Sequence, residues 1–314
     1  MIWFVARKLG GMLATVAVAS VVIFGALYLA PGDPASILAG GHEVTPATMA
    51  AIRAQYHLDD PFWVQYGHWL GGLLTGDPGT SMVLKEPVTT LISSRIGTTA
   101  LLVAYASVVI LVIGVVSGVL AGAAGKVVDG ALTVVTTILM AAPAFVAAIL
   151  LIWIFATKLS WFPVFGSGEG FGDRIHHLTL PALALSGGYL AYVSRITRTE
   201  VRAELAADHV AAARARGLPR LAVLRRHVLR NAAPPILAVS GVTVAGLFAG
   251  TAVAEQAFGV SGLGSLLVQS AARQDLVVVQ VLSLLLVAAF LVVNMLVDVL
   301  NAVLDPRLLT ERTA

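Results

Sequence analysis

Six stretches of this chain, residues 9–32, 96–125, 130–157, 175–194, 231–254 and 276–297, contain no Asp, Glu, Lys or Arg. Each supplies the roughly 20 residues that a helix needs to cross the hydrocarbon of a bilayer. A soluble domain could not cover that much apolar surface: 58% of the residues are hydrophobic, 12% are charged, and the mean hydropathy is +0.90. In lipid every backbone polar group must be satisfied within the span, and closed helices do this. The fold class is therefore all-α integral membrane. Six transmembrane helices are expected over 9–32, 96–125, 130–157, 178–200, 232–254 and 276–300 in a single domain, 1–314. His176, His177 and Pro181 crowd the start of the fourth, and Pro143 predicts a kink in the third.

Lysine and arginine counts set the orientation. With the N-terminus inside, inner segments hold Arg7, Lys8, Lys126, nine arginines between residues 195 and 230, Arg307 and Arg312, fourteen in all. Outer segments hold six: Arg53, Lys85, Arg95, Lys158, Arg174 and Arg273. Both termini are expected in the cytoplasm, with a large external segment at 33–95. Arg7 and Lys8 precede an apolar run containing Ala17-Val18-Ala19, as in a signal peptide. The run is longer than a typical signal core and reads as a retained first helix. The absence of cysteine excludes disulfides and thiol chemistry. The net charge of +3 reflects inner-face arginines beside membrane lipid and not nucleic-acid binding.

The inner segment at 201–231 is shaped as a docking element. Residues 201–216 are rich in alanine and strong helix formers; Gly217 then stops the helix and Pro219 lies two residues on. A second helix from Pro219 is expected to carry Leu221, Leu224 and Val228 until Pro234 and Pro235. Ala211, Ala212 and Ala215 give a small-residue face that admits another backbone closely, flanked by Arg214 and Arg216.

Elsewhere, Gly114, Gly118 and Gly122 recur every fourth residue in the second span, and Gly246 and Gly250 in the fifth. Such ridges let helices pack closely in lipid, where hydrophobicity does not hold them together. Phe62, Trp63, Tyr66, Trp69 and Leu70 recur at helical spacing, predicting an amphipathic helix at the membrane interface or a landing surface for an external partner. Asp298 is the one acid read as near the core of a span; pairing with Asn294 or Asn301 would satisfy it.

Catalytic patterns do not complete. Leu185-Ser186-Gly187-Gly188 copies the start of an ATPase signature, yet no GxxxxGK[ST] phosphate loop exists in the chain. Gly259-Val260-Ser261-Gly262 resembles an intramembrane serine motif, but no histidine follows it to act as base. His42-Glu43 begins HExxH, and Pro46 occupies the second histidine position. His176-His177 reads as structural. An ion-coupled secondary transporter would need titratable groups at mid-membrane, and only Asp298 comes close.

Several segments resemble one family in order and spacing. They are Tyr28-Leu29-Ala30-Pro31-Gly32-Asp33-Pro34; Tyr56-His57-Leu58-Asp59-Asp60-Pro61; Leu74-Thr75-Gly76-Asp77; and the run ARARGLPRLAVLRRHVLRNAAPP. Glu255-Gln256-Ala257-Phe258, Gly262-Leu263-Gly264, Asn294 to Asp298 and Leu304-Asp305-Pro306-Arg307 follow. Together they look like the B-type permease subunit of dipeptide, oligopeptide and nickel importers of the ABC class. The resemblance implies a multi-pass protein of the bacterial inner membrane, without cofactor or catalytic residue of its own. It implies two cytoplasmic ATPase subunits that bind ATP and Mg, a second, C-type permease and an external substrate-binding protein. The loop between spans four and five resembles the EAA coupling motif, which falls on Ala211, Ala212, Ala213 and Gly217, with Arg214 and Arg216 beside them. Ala211 stands where the motif has a glutamate. Peptides are favoured over nickel by the absence of cysteine and of clustered histidines along the spans.

Overall fold

A computed structural model describes residues 2–29, 35, 45–55 and 58–304. Pro31 to Pro34, His42-Glu43, Tyr56-His57, Asp305-Pro306-Arg307 and Arg312 lie outside them. Among the described residues there is no strand; the extended contact between Thr80 and Pro87 is an isolated bridge. The first helix, α1 (Ile2–Tyr28), is followed by α2 (Pro46–Gln55) and α3 (Phe62–Thr75). Then α4 (Val88–Val109) continues through a wider π turn, Ile110–Gly114, into α5 (Val115–Ala123). Next come α6 (Lys126–Ala141), α7 (Ala144–Leu151), α8 (Gly170–Leu205), α9 (Asp208–Ala215) and α10 (Arg220–Val223). The described residues end with α11 (Leu229–Ala257), α12 (Leu263–Ala272) and α13 (Leu276–Leu304).

Among the described residues, four helical runs are long and apolar enough to cross a membrane: Trp3–Ala26, Val88–Ala123, Arg220–Ala257 and Leu276–Leu300. A fifth is counted if α6 and the helix Ala144–Lys158 form one span, although they meet at 106°. That bend is much larger than a kink, and its cause is local. Ala142 is extended (φ −77°, ψ 119°), as a residue before proline must be, and Pro143 has no N–H with which to continue α6. The fourth expected span lies within α8, 36 residues long with Pro181 inside it.

Two expected breaks move. The helix expected to begin at Val201 does not, because α8 runs on to Leu205 and the chain turns at Ala206 and Ala207, so the next helix begins at Asp208. Asp208 in the first turn faces the positive end of the helix dipole; the alanines around it disguised the turn. Pro234 and Pro235 do not end the second helix. They lie inside α11, which is continuous with α10 through the π turn Leu224–Val228. Membrane helices accept such prolines because local π turns and neighbouring groups reabsorb the freed carbonyls.

The central element is α8, packed against α4, α5, α6, α7 and α11. Leu102, Ala106 and Ile110 meet Leu178, Leu180 and Leu185 of α8 and Leu247 of α11 in one buried cluster. The approach of α5 to α8 is set by missing side chains. A Cβ on Gly118 would lie 2.5 Å from the Ser194 carbonyl oxygen, and one on Gly122 would lie 2.8 Å from Val201. Gly114 sits 3.1 Å by the same measure from the Leu190 carbonyl. On α11, Gly250 makes room for Leu185, and Gly246 lies under Tyr189, whose hydroxyl donates to its carbonyl at 3.1 Å. Gly241, which carried no spacing signal, is the tightest: its Cβ would fall 1.9 Å from Val297 of α13.

At one end, α3 turns Phe62, Tyr66 and Trp69 onto Phe24 of α1, with ring centroids 5.4–5.6 Å from that ring. The Tyr66 and Ser20 hydroxyls share a hydrogen bond of 2.8 Å. Most of the aromatic stripe therefore holds the chain together, while Trp63 stays 67% exposed. At the other end of α1, Lys8 pairs with Asp298 of α13. The acid is paired with a cation, a partner that the sequence reading did not name.

Candidate functional site

The segment between α8 and α11 is a short helix held on two sides. Its end is a backbone event: Gly217 adopts φ +77°, and its N–H donates to the Arg214 carbonyl at 2.9 Å, with Leu218 N–H reaching the Ala213 carbonyl at 3.4 Å. A left-handed residue at that point is the usual glycine-terminated helix end. A Cβ there would meet nothing within 4 Å, so glycine is required for its φ and not for space.

Val210 and Ala213 point inward, into a cluster with Val201 of α8, Val223 of α10, Val228, and Ala232 and Ile236 of α11. Ala213 thus supports α9 from within. On the polar side, the Asn231 amide lies 3.1 Å from His209 Nε2, and the Glu204 carboxylate lies 3.4 Å from both groups. These contacts tie α9 to the last turn of α8 and the first turn of α11. Left exposed are Ala211, Ala212, Arg214, Ala215, Arg216 and Gly217, with Leu221 76% exposed beside them. Small side chains, two arginines and an uncovered leucine thus share one exposed surface.

Close by, Asp129 in the first turn of α6 is clamped by two guanidiniums from α8. Arg198 binds it through Nε and Nη2, and Arg202 Nη2 lies 2.7 Å away. These ion pairs tie α8 to α6.

Two buried acids hold the opposite end of the fold, and neither was singled out as a site from the sequence. Glu255, fully buried near the end of α11, accepts the Thr99 hydroxyl at 2.7 Å and the Ser265 N–H at 2.8 Å, and the Gly264 amide also faces it. Thr99 in turn accepts the Leu263 N–H at 2.8 Å. A Cβ on Gly262 would come within 2.3 Å of the Glu255 carboxyl carbon, so the Gly262-Leu263-Gly264 motif makes space for this carboxylate at the start of α12. Asp275 binds the Ser81 hydroxyl and accepts the amides of Met82 at 3.1 Å and Val83 at 3.3 Å. It fastens the loop before α4 to the start of α13. The signal available for Glu255 was a lone acid closing a long charge-free run.

The catalytic look-alikes have ordinary roles. Leu185-Ser186-Gly187-Gly188 is continuous helix inside α8, and Gly259-Val260-Ser261-Gly262 is a turn with Gly259 at φ +58°. His177 contacts Asp173, and His176 lies 2.9 Å from the Trp161 carbonyl. Among the described residues no group of His, Asp and Glu could hold a metal ion.

A bundle of long apolar helices, with a short helix braced on its surface between two of them, defines a membrane protein. Residues 110–310 match the family described as binding-protein-dependent transport system inner membrane component, and residues 1–103 match the N-terminal region described for the same systems. The chain belongs to this family, and it is the permease subunit of an ABC importer in the inner membrane. It is 35% identical over 97% of its length, and 98% of the relative's, to a probable peptide ABC transporter permease protein of Sinorhizobium fredii. It is 34% identical to the oligopeptide transport system permease protein AppB of Bacillus subtilis, over 92% of this chain and 93% of that one. It is 33% identical to the glutathione transport system permease protein GsiC of Escherichia coli K12, over 98% of both. Among solved structures, the inward-facing methionine ABC transporter MetNI contains a chain matched at TM-score 0.58 and 18% identity, covering 68% of this chain and 96% of that one. That likeness concerns the fold alone.

Proposed function

We propose that the chain forms half of a translocation path for short peptides and couples it, through α9 and the Gly217 turn, to ATPase subunits in the cytoplasm. The observation that carries this reading is the exposed face of α9, braced through Val210, Ala213 and His209 to both long helices beside it. Six spans, with both termini inside, follow from the charge asymmetry; α8 supplies the fourth and the bent pair around Pro143 the third. A C-type permease completes the path, an external binding protein delivers substrate, and ATP is hydrolysed in the partner subunits and not here. Peptides are favoured because relatives matched along nearly their whole length carry names of peptide, oligopeptide and glutathione permeases.

The test is reconstitution with the partner subunits in proteoliposomes. Labelled di- and tripeptides should accumulate only with ATP, the ATPases and the binding protein, and the purified chain alone should release no phosphate. ATP-independent uptake, or phosphate release by this chain alone, would overturn the reading. The orientation has its own test because the protein has no native cysteine. Single cysteines at Gly76 and Ala215, both exposed, should react with a membrane-impermeant thiol reagent from opposite faces of sealed vesicles. Labelling of both from one face would contradict the topology.

A further inference from the structure

A cleft of about 310 Å³ opens between α6 and α8, lined by Leu132, Thr133 and Thr136 from α6 and by Ser194, Arg195 and Arg198 from α8. Its charge is unbalanced. Arg198 and Arg202 share the one carboxylate, Asp129, whereas Arg195 donates Nη2 to the Thr137 hydroxyl at 2.7 Å and forms no ion pair among the described residues. The Thr133 hydroxyl also has no hydrogen bond there. A guanidinium with free N–H groups beside a free hydroxyl binds the oxygens of a phosphate group well.

The surroundings say where that phosphate comes from. The helix that forms one wall exposes Val128, Val135 and Ile138 next to the polar residues, so an apolar surface continues out of an anion-binding floor. The cleft lies near the first turn of α6, at the end of the bundle that carries α9. On the topology proposed above this is the level of the inner-leaflet headgroups, where basic pockets between helices take anionic lipid. We propose that this cleft binds the phosphate of an anionic phospholipid, with Arg195 as its main ligand. Because Arg195 is less than one helical turn from Arg198, which is tied to Asp129, a lipid seated there bridges α6 and α8 just above the coupling segment.

The experiment uses the full chain purified in mild detergent and examined by native mass spectrometry with phosphatidylglycerol, phosphatidylcholine or inorganic phosphate. Retention does not depend on which face of the membrane the cleft occupies, so a failure of the topology is distinguishable from a failure of this site. Wild type should keep phosphatidylglycerol in preference to phosphatidylcholine. Arg195→Gln should retain it about tenfold less well, as loss of a charge-assisted hydrogen bond requires, while Arg195→Lys keeps most of it. Arg225→Gln, an exposed arginine outside the cleft, should behave as wild type. Equal retention of the two lipids, unchanged retention in Arg195→Gln, or an equal loss in Arg225→Gln would overturn the proposal. Displacement of the lipid by millimolar inorganic phosphate in an Arg195-dependent manner would overturn the lipid assignment in favour of a free-anion site. Arg195 makes one side-chain contact at an exposed hydroxyl, so the glutamine variant should remain folded; if it aggregates, the wild-type preference for phosphatidylglycerol over phosphatidylcholine, and whether Arg225→Gln keeps it, still decide the outcome.

Discussion

Replacing Glu255 by alanine is expected to destabilise the folded chain by about 3–5 kcal/mol, the sum of leaving several buried donors without an acceptor. The Thr99 hydroxyl and the Ser265 amide lose their partner together, in a site from which water is excluded. The cost does not stay local. Thr99 lies on α4, Glu255 on α11 and Ser265 on α12, so one carboxylate joins three elements, and Gly262 packs directly against it. Glu255→Gln should be milder, at about 1–3 kcal/mol, because one oxygen still accepts while the amide nitrogen meets an N–H. The check is denaturant-induced unfolding of the purified variants in one detergent, followed by tryptophan fluorescence. Alanine and glutamine variants as stable as wild type would mean that the carboxylate contributes nothing to this junction.

The second large effect concerns Gly217, whose φ of +77° costs a β-branched residue about 1–3 kcal/mol. Applied to the equilibrium between a docked and an undocked α9, that strain corresponds to roughly 5–150-fold. Because a Cβ would touch nothing, the penalty is one of backbone conformation alone, which makes a diagnostic pair available. Gly217→Val should lose coupling, and Gly217→Asn, a residue that tolerates the left-handed region, should retain most of it.

The sequence was most legible where one force dominates. Charge-free runs placed the long helices because bilayer insertion leaves little choice, and the fourfold glycine spacing located the α5 ridge because close approach needs missing side chains. Gly217 was legible for the same reason: glycine followed two residues later by proline admits few conformations. What could not be read depended on partners distant in the chain. Gly241 belongs to no spacing pattern, and its need for a hydrogen side chain comes from Val297, which only α13 packing brings near. Glu255 and Thr99 are 156 residues apart, and Lys8 meets Asp298 across 290. Ala213 looked like its neighbours in an alanine-rich helix, and only the turn at Ala206 and Ala207 rotates it inward. Pro143 announced a kink; the 106° bend is larger because Ala142 before it leaves the helix for an extended conformation.

The central claim is that the Gly217 turn carries force between ATPases and spans. The most direct measurement compares wild type, Gly217→Val and Gly217→Asn in proteoliposomes with all partner subunits, recording peptide uptake and ATP hydrolysis on the same preparation. Gly217→Val should insert and assemble normally, transport little or nothing, and hydrolyse ATP either not at all or without stimulation by loaded binding protein, while Gly217→Asn transports. Normal uptake by a normally expressed Gly217→Val chain would show that this turn is not the coupling element.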